Sequence, residues 1–227
     1  MDTVQKKRPL AAVIFDMDGL MFDTEQLYER TWGQAVSEQG KVFTREIHSL
    51  IMGRSKADSA QILLDVYGPD FPVQKVIDRQ TPLFFEALQT EQIPAKKGLF
   101  PLLDALEQRG LKKAVASSSQ PKKIDFLLKQ HGLEHRFDCV VSGHQVHASK
   151  PNPEIFLLTA EQLGEPPANV LVLEDSNAGI RAAHNGGFRS ILIPDLCKLE
   201  PDVLQLCLRK VDSLDDVISI IDAINGR

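Results

Sequence analysis

Apolar residues follow two rhythms along this chain, and the change between them divides it. Ala11 to Phe15 is a short apolar run without helical period, the pattern of a strand buried on both faces. From position 25 to about 90 the apolar residues recur at helical spacing instead. Leu27, Trp32 and Val36 predict a helix over 25–39 that stops at Gly40. Ala57, Ile62, Leu63 and Val66 predict a second over 55–67, ended by Gly68-Pro69-Asp70. A third covers 73–88, with Pro82 expected to kink or restart it, and 49–53 is expected as a break. No strand is predicted between 25 and 90.

Beyond position 94 short apolar runs alternate with amphipathic stretches. Helices are predicted over 99–109, 121–130, 154–163, 177–185 and 217–224, four of them followed by glycine, a common helix-ending residue. Strands are predicted over 113–116, 137–142, 170–173 and 190–193. Such alternation implies a parallel sheet covered on both faces. The expected fold class is therefore α/β, a doubly wound parallel sheet with a Rossmann-like core, interrupted by an all-helical insertion. The expected domains are a discontinuous core, 1–24 and 92–227, and a helical cap, 25–91. No internal repeat or low-complexity segment is present.

In doubly wound sheets ligands bind beyond the carboxyl ends of the strands. The residues that end the predicted strands are polar: Asp16 and Asp18 after the first, Ser117 after the second, Glu174 and Asp175 after the fourth. Lys150 lies in the loop 143–153 on the same side of the pattern. Asp16 and Asp18 are two apart, so in extended backbone they leave on one side, and Gly19 lets the chain turn at once. Taken alone, that pair fits either an ordinary strand-end turn or a site that needs a cation or a proton-carrying carboxyl. The coincidence of four such positions at one edge favours the site. Asp23 and Thr24 are expected as turn and helix-cap residues, and Trp32 as core of the insertion.

Composition narrows the chemistry. The 227 residues, 43% hydrophobic and 25% charged, are those of a soluble globular protein. A net charge of −5 gives no general basic field to draw in a nucleic-acid polymer or an anionic membrane. An anionic substrate must then meet local cations or a metal ion. Apolar runs fall short of the ~20 residues that span a bilayer, and positions 1–9 lack the apolar core of a signal peptide. Cys139, Cys197 and Cys207 are scattered and lack metal-type spacing, as in a reduced cytoplasmic protein. The basic runs 6–8, 96–97, 112–113 and 122–123 are expected to be solvated surface. Strand-end carboxylates suit Mg²⁺, which takes oxygen ligands and keeps several waters. No His/Cys cluster suits zinc, and His144 with His147 is a lone histidine pair without a neighbouring carboxylate in sequence. A cation and a lysine beside carboxylates suit a phosphate group. Hydroxyls and amides at Ser117 and Ser118 offer it further donors. Asp16 is placed to attack phosphorus, and Asp18 to exchange the proton. No Walker loop or Gly-x-Gly-x-x-Gly fingerprint is present.

Asp16-Met17-Asp18-Gly19, Ser117, Lys150-Pro151 and Glu174-Asp175, in that order, resemble the four motifs of the haloacid dehalogenase superfamily of phosphotransferases. The resemblance covers essentially the whole chain, and the helical insertion resembles that family's cap. It implies Asp16 as nucleophile and Mg²⁺ ligand, and Asp18 as general acid/base that gives its backbone carbonyl to the metal. It implies Asp175 as the remaining protein ligand, with Glu174 beside the metal and its waters. Ser117 and Lys150 would bind the transferring phosphoryl group. Segments 18–25, 148–156 and 173–179 are similar to the β-phosphoglucomutase-like group, and 25–28, 49–53 and 60–62 to the pseudouridine-5′-phosphatase family. Two positions depart from the mutases. Tyr28 stands where they carry a histidine, and Lys56, with Arg54 nearby, stands where they carry an arginine for a distal phosphate. Lysine is a weaker, non-bidentate phosphate clamp.

The expectation is a cytoplasmic, monomeric, Mg²⁺-dependent phosphomonoester hydrolase acting through an aspartyl-phosphate on a sugar phosphate or nucleoside monophosphate. Tyr28, Arg54 and Lys56 are candidates for meeting the leaving alcohol. The rivals are a sugar phosphomutase on the same site and a non-catalytic binding protein on the same fold. Intact Asp16, Asp18, Lys150 and Asp175 argue against the second.

Overall fold

Strand β1 (Ala12–Phe15) is buried at every position and lies inside the sheet with a parallel partner on each side. The computed structural model describes residues 9–52, 54, 56–196 and 198–227, with only the backbone at Lys56. The expectations placed on 1–8, Gly53, Ser55, Cys197 and the Lys56 side chain lie outside the described residues. After β1 come four helices: α1 (Glu25–Ser37), α2 (Arg45–Ile51), α3 (Lys56–Tyr67) and α4 (Val73–Thr90). Then follow α5 (Leu99–Gln108), β2 (Lys112–Ser117), α6 (Pro121–Gln130), β3 (Cys139–Ser142), α7 (Glu154–Leu163) and β4 (Val170–Glu174). The chain closes with α8 (Asn177–Asn185), β5 (Arg189–Leu192), α9 (Val203–Leu206), β6 (Arg209–Lys210) and α10 (Asp215–Asn225).

The sheet order is β3-β2-β1-β4-β5-β6, all parallel. The chain steps outward from β1 to β3, then crosses back to β4 on the other side. That reversal opens a crevice beside the carboxyl end of β1. Side chains alternate across the strand. Val13 and Phe15 join one apolar cluster with Leu99, Leu103, Leu127 and Val217 from α5, α6 and α10. Ala12 and Ile14 join the other, with Phe156, Ala160, Ala182 and Ala183 from α7 and α8. Each large side chain so buried contributes about 1.5–3 kcal/mol. The sheet is thus doubly wound. The α1–α4 segment has its own cluster around Trp32, Val36, Leu63 and Val76. Leu27, Phe84 and Leu88 from the same segment pack into the core cluster instead.

Four details depart from the sequence pattern. Positions 49–51, expected as a break, belong to α2, whose cap Thr44 accepts from the Ile47 amide at 3.4 Å. That helix buries only His48 and Ile51, too few positions for a period to show. Pro82 neither ends nor restarts α4, because Val76, Gln80, Phe84 and Leu88 are buried at four-residue spacing on both sides of it. Strand β6 is two exposed residues long and α9 is a single turn, so neither carries a pattern. Thr24 precedes α1 but makes no side-chain cap; its hydroxyl serves Asp18. No described helix is long and apolar enough to cross a membrane.

Candidate active site

Asp16 follows β1 directly, and its amide continues the ladder to the Leu173 carbonyl at 3.0 Å. Its Oδ1 lies 2.5 Å from Lys150 Nζ, which reaches Glu174 Oε1 at 2.6 Å. Glu174 Oε2 accepts from the amides of Asp175 and Ser176, both at 3.1 Å, and from Ser176 Oγ at 2.8 Å. Both Glu174 oxygens are therefore engaged, and the side chain lies wholly buried behind Lys150. This fit depends on Gly179 in the first turn of α8, where a Cβ would stand 1.8 Å from Glu174 Cδ. Gly19, at φ +80°, turns the chain so closely past Asp175 that a Cβ would meet its Oδ2 at 2.3 Å.

The electrostatics follow from this crowding. Burial pushes the Asp16 carboxyl up to about 7; Lys150 opposes that, while Glu174 and Asp18 add to it. Burial, then the charges of Glu174 and Asp16, raise Asp175 well above the ordinary carboxylate range. Lys150 resists burial because Asp16 and Glu174 hold it charged. Three carboxylates around one ammonium leave excess negative charge in a buried place.

A hard cation relieves such an excess. Among the described residues no three His, Cys, Asp or Glu side chains already converge as a metal cage. Mg²⁺ needs only two or three protein oxygens, and the donors here are all oxygen. Asp195 Oδ2 is a further buried oxygen without a hydrogen-bond partner, 3.4 Å from where a Cβ on Gly19 would stand. The donor set fits such an ion, which the Asp16 and Asp175 side chains and the Asp18 carbonyl could hold, with Glu174 alongside.

Asp18 is held at three points. Thr24 Oγ1 donates to it at 2.7 Å, Ser119 Oγ at 2.6 Å, and the Lys123 ammonium bonds it directly. Burial would raise its pKa, but Lys123 and the three hydrogen bonds outweigh burial and hold it below the ordinary value. Lys123 corrects the expectation of a solvated surface run at 122–123, since its side chain is only 4% exposed. A signal was present: Lys123 precedes Leu127 by four, in line with the buried stripe of α6. The run at 112–113 departs in the same way, with Lys113 buried.

A cavity of about 520 Å³ stands over these groups. Asp16, Asp18, Ser117, Ser118, Lys150 and Asp175 line its floor. Ser117 is buried at the end of β2, its Oγ accepting from the Ser119 amide at 3.1 Å, and Ser118 is exposed. The opposite wall comes from the helical segment: Tyr28, Trp32, Phe84 and Phe85, with Glu25, His48 and Gln80 among them. Arg54 lines the cavity too, exposed, with Nε donating to the Leu50 carbonyl at 2.9 Å. Burial pushes Glu25 up to about 8 and His48 down. At neutral pH their 3.4 Å contact is therefore one between uncharged partners. Sequence reasoning missed Glu25, His48, Ser119 and Lys123 as lining residues.

The sequence from 13 to 193 matches the family model described as haloacid dehalogenase-like hydrolase. The phosphorylated carbohydrates phosphatase of Thermotoga maritima is 33% identical over 186 residues, covering 80% of this chain and 84% of that protein. The fructose-1-phosphate phosphatase of Escherichia coli is 29% identical over 183 residues, covering 80% of this chain and 95% of that protein. The crystal structure of CbbY from Rhodobacter sphaeroides in complex with phosphate superposes with a TM-score of 0.78 at 25% identity, covering 92% of this chain and 96% of that one. With strand-end carboxylates, lysine and cavity at one sheet edge, this chain belongs to the haloacid dehalogenase-like hydrolases. Within them it stands among the phosphatases of the β-phosphoglucomutase-like group and is a phosphoric monoester hydrolase.

Proposed function

We propose that this chain is a cytoplasmic, Mg²⁺-dependent phosphatase of a small phosphorylated carbohydrate, working as a monomer through an aspartyl-phosphate. The observation that carries the reading is the pair Asp16 and Asp18 on the cavity floor, one facing Lys150 and the other held by Ser119, Thr24 and Lys123. The substrate class draws on the phosphatases of phosphorylated carbohydrates and of fructose 1-phosphate that the chain resembles. Free thiols at Cys139 and Cys207 suit a reducing compartment. The helices α1–α4 act as a cap that bounds the substrate's remote end.

In the first step an Asp16 oxygen attacks phosphorus, forming the O–P bond while the ester O–P bond breaks. Asp18, ionised at rest beside Lys123, takes a proton from the arriving phosphate monoanion and passes it to the departing alcohol. Lys150, with the Ser117 and Ser118 donors, holds the phosphoryl oxygens and spreads their charge. In the second step Asp18 takes a proton from water as its oxygen attacks the same phosphorus. Orthophosphate leaves and the Asp16 carboxylate returns. When bound, Mg²⁺ supplies charge neutralisation at the phosphoryl oxygens. Hydrolysis is favoured over mutase chemistry because Tyr28, at the mutase histidine position, has its hydroxyl bonded to Lys123 and its ring stacked on Phe84.

The test is phosphate release from a panel of sugar phosphates and nucleoside monophosphates, with Mg²⁺ and after chelation. Wild type should turn over at least one sugar phosphate, lose activity with EDTA and regain it with Mg²⁺. Asp16→Asn should lose at least about a thousandfold. Full turnover by that variant, or after exhaustive chelation, would overturn the mechanism.

A further inference from the structure

Lys123 is the buried charge at this site that the two chemical steps leave unused. Its ammonium bonds the Asp18 carboxylate, Ser119 Oγ at 3.1 Å and Tyr28 Oη at 2.9 Å. It also lies 4.6 Å from the centre of the Tyr28 ring and 4.9 Å from that of Phe84, which stack on each other at 4.3 Å. An ammonium has three donors, and here all three go to protein. None is left for a phosphoryl oxygen, whereas the third contact of Lys150, to the Ala116 carbonyl, is stretched to 3.5 Å. The partners divide by origin. Asp18 and Ser119 belong to the sheet edge, Tyr28 to α1 and Phe84 to α4. A charge in such a place costs several kcal/mol unless it is paired and fully hydrogen-bonded. Its comfort therefore depends on the carboxylate and the aromatic wall together.

We propose that Lys123 is a positioning residue that fixes where the Asp18 carboxyl stands and ties that position to the wall made by Tyr28 and Phe84. The acid/base group is then correctly placed only while the helical segment is seated on the sheet edge. This rests on the phosphatase reading and adds to it a link between the cap and the proton-transfer step.

A misplaced Asp18 has a specific signature. An alkoxide departs only with a proton, whereas 2,4-dinitrophenolate departs without one. Loss of correct placement must then show as a loss that depends on the leaving group. It appears in kcat/KM, which reports the steps up to the aspartyl-phosphate. The full-length Lys123→Met and Tyr28→Phe variants are assayed with Mg²⁺ on the best sugar phosphate and on 2,4-dinitrophenyl phosphate. Lys123→Met should lower kcat/KM for the sugar phosphate about a hundredfold, the lower range for general acid catalysis. It should lower that for the aryl ester less than about threefold, with KM for the sugar phosphate nearly unchanged. Tyr28→Phe, which removes one hydroxyl and leaves the charge paired, should give the same pattern at about fivefold. Equal losses on both esters, or none on either, overturn the proposal. Should Lys123→Met not fold, the Tyr28→Phe ratio decides alone, and a ratio of one overturns it. A wild type that hydrolyses neither ester would instead overturn the phosphatase reading.

Discussion

Lys150 and Arg54 line the same cavity, and their surroundings assign them different consequences. Lys150 bonds Asp16 and Glu174 and, in the proposed mechanism, would meet whatever phosphoryl group arrives. Lys150→Ala should therefore lower kcat/KM by about a hundredfold or more on a sugar phosphate and on a small aryl phosphate alike. Arg54 is exposed on the cap side and touches neither Asp16 nor Asp18. Arg54→Ala should cost about tenfold, or 1.4 kcal/mol, on the sugar phosphate, and almost nothing on the aryl ester. Parallel losses in the Arg54 variant would move substrate discrimination elsewhere. Asp16, Asp18, Ser117 and Asp175 were legible because a strand end fixes where a side chain goes, and Lys150 only because its loop lies on the same side of the sheet. Lys123 stayed hidden because it shares a dipeptide with Lys122, and only the roll of α6 separates the solvated lysine from the buried one. Glu25 and His48 were equally hidden, since their burial is made by contacts between helices that no local pattern records.

At the scale of elements, one substitution has opposite signs in two helices. Gly179 packs the first turn of α8 against the Glu174 carboxylate, so Gly179→Ala must displace a group that holds Lys150. About 1–3 kcal/mol of stability should be lost, together with activity. Gly33 lies within α1 with its nearest contact, Phe43 Cδ1, at 4.0 Å. Gly33→Ala should gain about 0.5–1 kcal/mol through the unfolded chain's lost freedom. Urea midpoints at unchanged slope read both; a stabilised Gly179 variant would mean that the close approach is not sustained. The elements legible in the sequence are those whose burial writes a long pattern. Strand β1 and the first four residues of β4 are continuous apolar runs, while α5, α7 and α10 carry full stripes. The seven residues of α2 and the two of β6 are held by neighbours instead, and Pro82 is tolerated because burial on either side of it outweighs its own preference.

For the whole molecule, the protonated Glu25 carboxyl links stability to pH. It titrates near 4.5 in the unfolded chain and is pushed up to about 8 when folded, chiefly by burial. Between those values the folded state holds a proton that the unfolded state has released, so stability falls as pH rises and levels off above about 8. Thermal midpoints from about pH 6 to about pH 8.5 should fall more steeply in wild type than in Glu25→Gln, which cannot titrate. Equal slopes in the two proteins would show that the carboxyl is not held neutral. The sheet order has a consequence of another kind, in time. Strand β1 pairs with residues 112–115 on one side and 170–173 on the other. On a ribosome adding about 5–20 residues each second, Asp16 emerges early, while Lys150 and Asp175 emerge last of its partners. No nascent fragment short of them carries a half-built, unselective esterase. For on the order of ten seconds of synthesis the proposed nucleophile is an ordinary aspartate.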